Sequence, residues 1–122
     1  LQGRGWIITK WLLQNDISIY NKELEKEINN GNVAILQVYQ SAVHYVLLTK
    51  IDEEFAYIFD PYYLPISYYD NDSSIEIIKD KSFEYNRKVK KERLDSNTKL
   101  DFSLLKDDKG QIIILRKVNQ KN

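Results

Sequence analysis

The sequence predicts an α+β domain, with helices near its start followed by a mainly antiparallel sheet. Two observations carry that expectation. Apolar residues recur near helical spacing early in the chain, as Trp6, Ile7, Trp11, Leu12 and Leu13 and again as Leu24 and Ile28. From Val33 onward they fall instead into short β-branched and aromatic stretches separated by polar turns. The 122 residues fit one domain with a modest core.

Taken in order, Gly5 to Asn15 is expected to be a short helix with Trp6 and Trp11 on its buried face. Ile17-Ser18-Ile19-Tyr20 alternates and reads as a short strand. Asn21 is a suitable N-cap for a helix whose narrow apolar stripe is Leu24 and Ile28, and Gly31 suits the left-handed position that stops it. Val33 to Tyr39 reads as a strand buried on both faces, and it is followed by a hairpin of Ala42–Leu48 and Phe55–Asp60. Pro61 ends the second hairpin strand because it cannot donate to a ladder. A tyrosine-rich loop covers 62–74, and Ile75–Ile78 is ambiguous. Phe83–Val89 reads as a strand, Lys88–Arg93 as a solvated basic face, and Asp107–Gly110 as a turn. Gln111–Leu115 is a terminal core strand.

Composition narrows the functional classes. Lys plus Arg and Asp plus Glu are 18 each, so the balanced charge offers no footprint for nucleic acid or an anionic membrane. No apolar run approaches the roughly 20 residues that span a bilayer as a helix. The absence of cysteine removes disulfides, thiolate metal sites and a cysteine nucleophile from within these residues. With a single histidine as well, neither a zinc site nor any other cofactor is expected. The sequence opens at Leu1 and contains no methionine, so further polypeptide is expected upstream or on another chain.

The chemistry concentrates in the hairpin. A tight turn centred on Asp52 would set His44 opposite Asp60, Val46 opposite Ile58 and Leu48 opposite Ala56. Directly opposed residues have Cβ atoms roughly 4.5–5.5 Å apart, within reach of a carboxylate–imidazole hydrogen bond. A slip of one residue would send Asp60 to the other face. A lone strand histidine is commonly a satisfied structural residue, and an aspartate before proline commonly starts a turn. Against that, an unpaired aspartate at the end of an aromatic strand is costly to bury, and the only histidine lies where it could pair. Such a pair fixes the imidazole tautomer, as a general base requires.

Val33-Ala34-Ile35-Leu36-Gln37-Val38, His44-Tyr45-Val46-Leu47-Leu48 and Tyr57-Ile58-Phe59-Asp60-Pro61-Tyr62-Tyr63 together resemble the second half of the bacterial bacteriocin-processing, double-glycine cysteine peptidases. Asn86-Arg87-Lys88-Val89 and Ile112–Leu115 add a looser likeness. The resemblance implies a papain-like fold, of which residues 1–122 would be the C-terminal part. It also implies a Cys–His–Asp triad in which His44 and Asp60 are the catalytic histidine and aspartate. The thiol would then come from an upstream segment or another chain, and the substrate would be a peptide, such as a leader sequence. Some relatives transfer acyl groups. Others lack the nucleophile and hold a peptide or protein without cutting it, a role for which Tyr62, Tyr63, Tyr68 and Tyr69 would line a groove. The same resemblance implies a cytoplasmic location. A plain structural domain with a satisfied His44–Asp60 pair is the remaining alternative.

Overall fold

In the computed structural model, which describes residues 5–40, 42–61, 72–79, 84–106 and 110–118, the chain builds a seven-stranded sheet in which every named pairing is antiparallel. Its strands are β1 (Trp6–Leu13), β2 (Val33–Tyr39), β3 (Val43–Ile51), β4 (Phe55–Phe59), β5 (Ile75–Ile77), β6 (Arg87–Lys90) and β7 (Gln111–Lys117). The order across the sheet is β1-β7-β2-β3-β4-β6-β5. The β2–β3–β4 meander is therefore central, as the apolar run and hairpin suggested. The helices among the described residues are α1 (Lys22–Asn29) and α2 (Lys91–Leu94), with a 3₁₀ turn over Gln14–Asp16. None is long and apolar enough to cross a membrane.

One face of the sheet carries the core. The registers place Leu12, Ala34, Leu36, Val38, Val46, Leu48, Ile58, Val89, Ile112 and Ile114 on it, all buried. Leu24 and Ile28 of α1, Ile17, Ile19, Leu94, Phe102 and Leu104 complete the same cluster. Helix α1 forms as its sequence suggests. The Asn21 side chain accepts from the N–H groups of Glu23 and Leu24, at 3.0 and 3.1 Å, and Gly31 takes φ +89° just past the end.

The helix-then-sheet α+β arrangement expected from the sequence is overturned, and with it the N-terminal helical layer of the papain-like fold. Gly5–Asn15 is not a helix: Trp6–Leu13 pairs with Lys117–Gln111 as strand β1, and Gln14–Asp16 forms the 3₁₀ turn. The reason lies in a β-bulge at Thr9, between the pairs Ile8↔Leu115 and Lys10↔Ile114. One extra residue shifts the alternation, so Trp6, Ile8, Trp11 and Leu13 all share the face of Gln111, Ile113 and Leu115. That spacing imitates a helical stripe. The run Ile7-Ile8-Thr9 is also β-branched, which favours the ladder over the helix.

Three smaller expectations change as well. Ile17–Tyr20 is no strand: the Ile19 N–H and the Ser18 hydroxyl both donate to the Asp95 carboxylate, at 2.9 and 2.6 Å, and this replaces ladder bonds. The basic stretch Lys88–Arg93 is not wholly solvated, because Lys91 is buried and its Nζ donates to the Asp52 carbonyl at 3.0 Å. β2 is fully buried only on the core face: opposite it Gln37 is buried, while Val33, Ile35 and Tyr39 are half-buried. That opposite face exposes Trp6, Ile8, Trp11 and Leu13 from β1 and Val43 and Tyr45 from β3, each between 44% and 56% accessible. The turn Asp107–Lys109 and the tyrosines 62, 63, 68 and 69 lie outside the described residues.

Candidate active site

His44 enters near the start of β3, opposite Val38 and on the core face of the sheet. Asp60 follows the last residue of β4 and is 1% accessible. The two side chains meet: His44 Nε2 lies 2.8 Å from Asp60 Oδ1. The carboxylate side chain is fully covered, while 23% of the imidazole reaches solvent. With an ionised carboxylate as acceptor, Nε2 carries the proton and donates.

The pair forms by a different register from the one expected. Leu48 pairs with Ile58 and not with Ala56, so continuing past Phe59 sets Asp60 beside Val46, diagonal to His44. Near the turn the register is odd, with Lys50 opposite Tyr57 and Ile51 opposite Ala56. Carried through unbroken, that register would turn Asp60 onto the face of Leu47, away from His44. A bulge at Thr49 removes the mismatch. The extra residue restores the alternation and brings both side chains to one face. The Thr49 hydroxyl donates to the Glu84 carbonyl at 2.8 Å, which pins the bulge to the chain just before β6.

The turn that sets the odd register is built by Asp52. Its Oδ1 accepts from the N–H groups of Glu54 and Phe55, at 2.9 and 2.7 Å, and Oδ2 accepts from the Tyr57 hydroxyl at 2.7 Å. This is an Asx turn with an aromatic strut. The hydrogen bond to Asp52, reinforced by burial, pushes the Tyr57 phenol up to about 12. Burial pushes the Asp52 carboxyl up, but the Tyr57 hydroxyl and the two backbone N–H groups together leave it below its ordinary value.

Asp60 is gripped through its backbone. The β4–β6 ladder ends at Ile58↔Arg87, and Asn86 N–H adds a bond to the Ile58 carbonyl at 2.9 Å. The Asn86 side chain then takes over. Its Oδ1 accepts from the Asp60 N–H at 2.8 Å, and its Nδ2 donates to the Asp60 carbonyl at 2.7 Å. On the other side, Pro61 restricts Asp60 to extended backbone.

Compared with protein-family models, curated proteins and solved structures, the chain matches none.

Among the described residues, no group of three or more His, Cys, Asp and Glu converges as a metal-binding set. The imidazole, the buried carboxylate and the amide behind it stand together at the end of β4. Both residues singled out in the sequence are here and in contact. Sequence reasoning passed over Thr49 and met Asn86 only within a loose likeness, with no role of its own. An asparagine just before a strand that pairs beside an Asp-Pro end is a faint signal. A bulge has no signature in a sequence whose turn register is unknown.

Proposed function

We propose that this chain supplies the general base and its orienting acid to a cysteine peptidase-type site acting on a peptide, the thiol coming from outside these 122 residues. The observation that carries the reading is the 2.8 Å contact between a fully covered Asp60 carboxylate and a partly exposed His44 imidazole. Burying a carboxylate is costly without a partner. Here its partner is the one side chain type whose ordinary titration falls in the neutral range, and part of that ring reaches the surface.

The chemistry follows from the two nitrogens. Asp60 holds Nε2–H, so Nδ1 is the atom that exchanges the proton. It takes the proton of the thiol, and the thiolate attacks the carbonyl carbon of the peptide. Asp60 stabilises the imidazolium meanwhile. The tetrahedral intermediate collapses with the proton passing from His44 to the leaving amine, which leaves a thioester. Water, deprotonated by His44, attacks the thioester carbon; the acid leaves and the thiolate accepts the proton back. An amine in place of water would make the same site an acyltransferase.

The test is thiol reactivity in the natural protein as purified from its source. Iodoacetamide is expected to label one cysteine rapidly at neutral pH, and His44→Ala to slow that labelling by about tenfold or more by removing the base that favours the thiolate. Equal rates in the two proteins overturn the reading. A second reading, a peptide-holding domain without turnover, is favoured by the lack of any cysteine in the sequence. Its expected result is the absence of any rapidly labelled thiol.

A further inference from the structure

We propose that Asn86 is the positioning residue of the His44–Asp60 pair, acting as the ladder rung that aims the Asp60 carboxylate. A side-chain amide carries the same C=O and N–H groups as a peptide bond. Asn86 uses them as a strand would, accepting from Asp60 N–H and donating to Asp60 C=O, one step beyond the last backbone rung. Those two bonds hold both backbone groups of the buried Asp60 one step past the end of its ladder, and so fix the peptide planes from which its carboxylate reaches Nε2. Pro61 limits the same backbone on the C-terminal side. Asn86 is itself held, its N–H on the Ile58 carbonyl and its carbonyl on the Ile78 N–H at 3.0 Å. The chain β5–β6–Asn86–Asp60–His44 is thus continuous from the sheet edge to the imidazole.

The inference deepens the proposed site, and its test reads the imidazole, not turnover. With one histidine in the sequence, each ring nitrogen gives a single signal in ¹⁵N spectra. Recorded at about pH 9, where an ordinary imidazole is neutral, the unaltered chain is expected to show Nε2 protonated, Nδ1 unprotonated and the Nε2 proton slow to exchange. Asp60→Asn serves as the reference for a lost carboxylate. Asn86→Ala is expected to move the ring signals toward a mixture of tautomers and to speed Nε2–H exchange by about tenfold or more, as loss of a hydrogen bond to a charged group would. Backbone signals of β2 and β7 are expected to stay in place. Asn86→Asp, which keeps the acceptor for Asp60 N–H and loses the donor to Asp60 C=O, is expected to fall between the two and decides the question should the alanine variant not fold. Ring signals and exchange unchanged in either folded variant overturn the proposal. A slow or absent thiol in the labelling experiment would end the peptidase reading while leaving the Asn86 result intact, so the two failures are distinguishable.

Discussion

The carboxyl of Glu27 is held below its usual range by the Arg116 guanidinium, which donates to it at 2.7 Å; burial opposes that shift and the Asn32 amide, at 3.0 Å, adds to it. Asn32 in turn accepts from the Lys117 N–H at 3.0 Å, so one buried acid ties α1 to the end of β7. A carboxyl whose folded pKa lies below its unfolded value stabilises the fold above the unfolded pKa. That contribution disappears as the pH falls through the folded value. The urea midpoint of the unaltered chain is therefore expected to drop between about pH 5 and pH 3, bracketing the ordinary Glu range. Glu27→Gln is expected to lower the midpoint at pH 7 and to flatten this part of the profile. Parallel profiles for the two proteins would show that Glu27 carries none of the acid sensitivity.

At the scale of elements, two bulges decide what the strands present. The one at Thr9 turns four large apolar residues of β1 to a single face, and the one at Thr49 turns Asp60 toward His44. The second makes a sharp prediction. Deleting Thr49 removes the extra residue and leaves the Asx turn intact, so the ladder would run from Lys50↔Tyr57 straight on to Leu48↔Ile58 and Leu47↔Phe59, and Asp60 would keep its place beside Val46 on the face of His44. The ring spectra of the deletion variant are expected to match those of the unaltered chain, with Nε2–H still protected. Spectra like those of Asp60→Asn would mean that Leu48 takes over the bulge and the rest of β3 slips by one residue.

At the scale of the molecule, the described residues cover the sheet mainly on one side. The core cluster lies under α1, α2 and the segments around Ile17 and Phe102, whereas the opposite face shows Trp6, Ile8, Trp11, Leu13, Val43 and Tyr45. Among the described residues β1 is also an edge strand, paired only with β7. An exposed edge with large apolar side chains is a template for association. The isolated chain is expected to sediment faster as its concentration rises, and Trp6→Lys with Trp11→Lys to keep it monomeric over a wider range at little cost in thermal stability. Both tryptophans are close to half exposed, and surface substitutions commonly change stability by no more than about 0.5 kcal/mol. Identical sedimentation of the two proteins would remove this face as the origin of association.

The sequence by itself determined the parts whose cause is local. Asn21 and Gly31 bound α1 because a cap and a left-handed stop act on neighbouring residues. The β2–β3–β4 meander and β7 were legible because β-branched runs between turn residues favour strands wherever they pair. His44 and Asp60 stood out because a single imidazole and a buried-looking acid share one hairpin. Only the tertiary structure decided that Trp6–Leu13 is a strand, since its apolar spacing suits a helix and a bulged strand equally and the choice falls to the partner β7. The same holds for the meeting of His44 and Asp60. Its register depends on Thr49 being bulged out of the ladder, and its aim on an amide, Asn86, that lies far away in the sequence and close in space. Cross-strand register is a long-range property, set by where backbone hydrogen bonds close, and no local pattern of side chains encodes it.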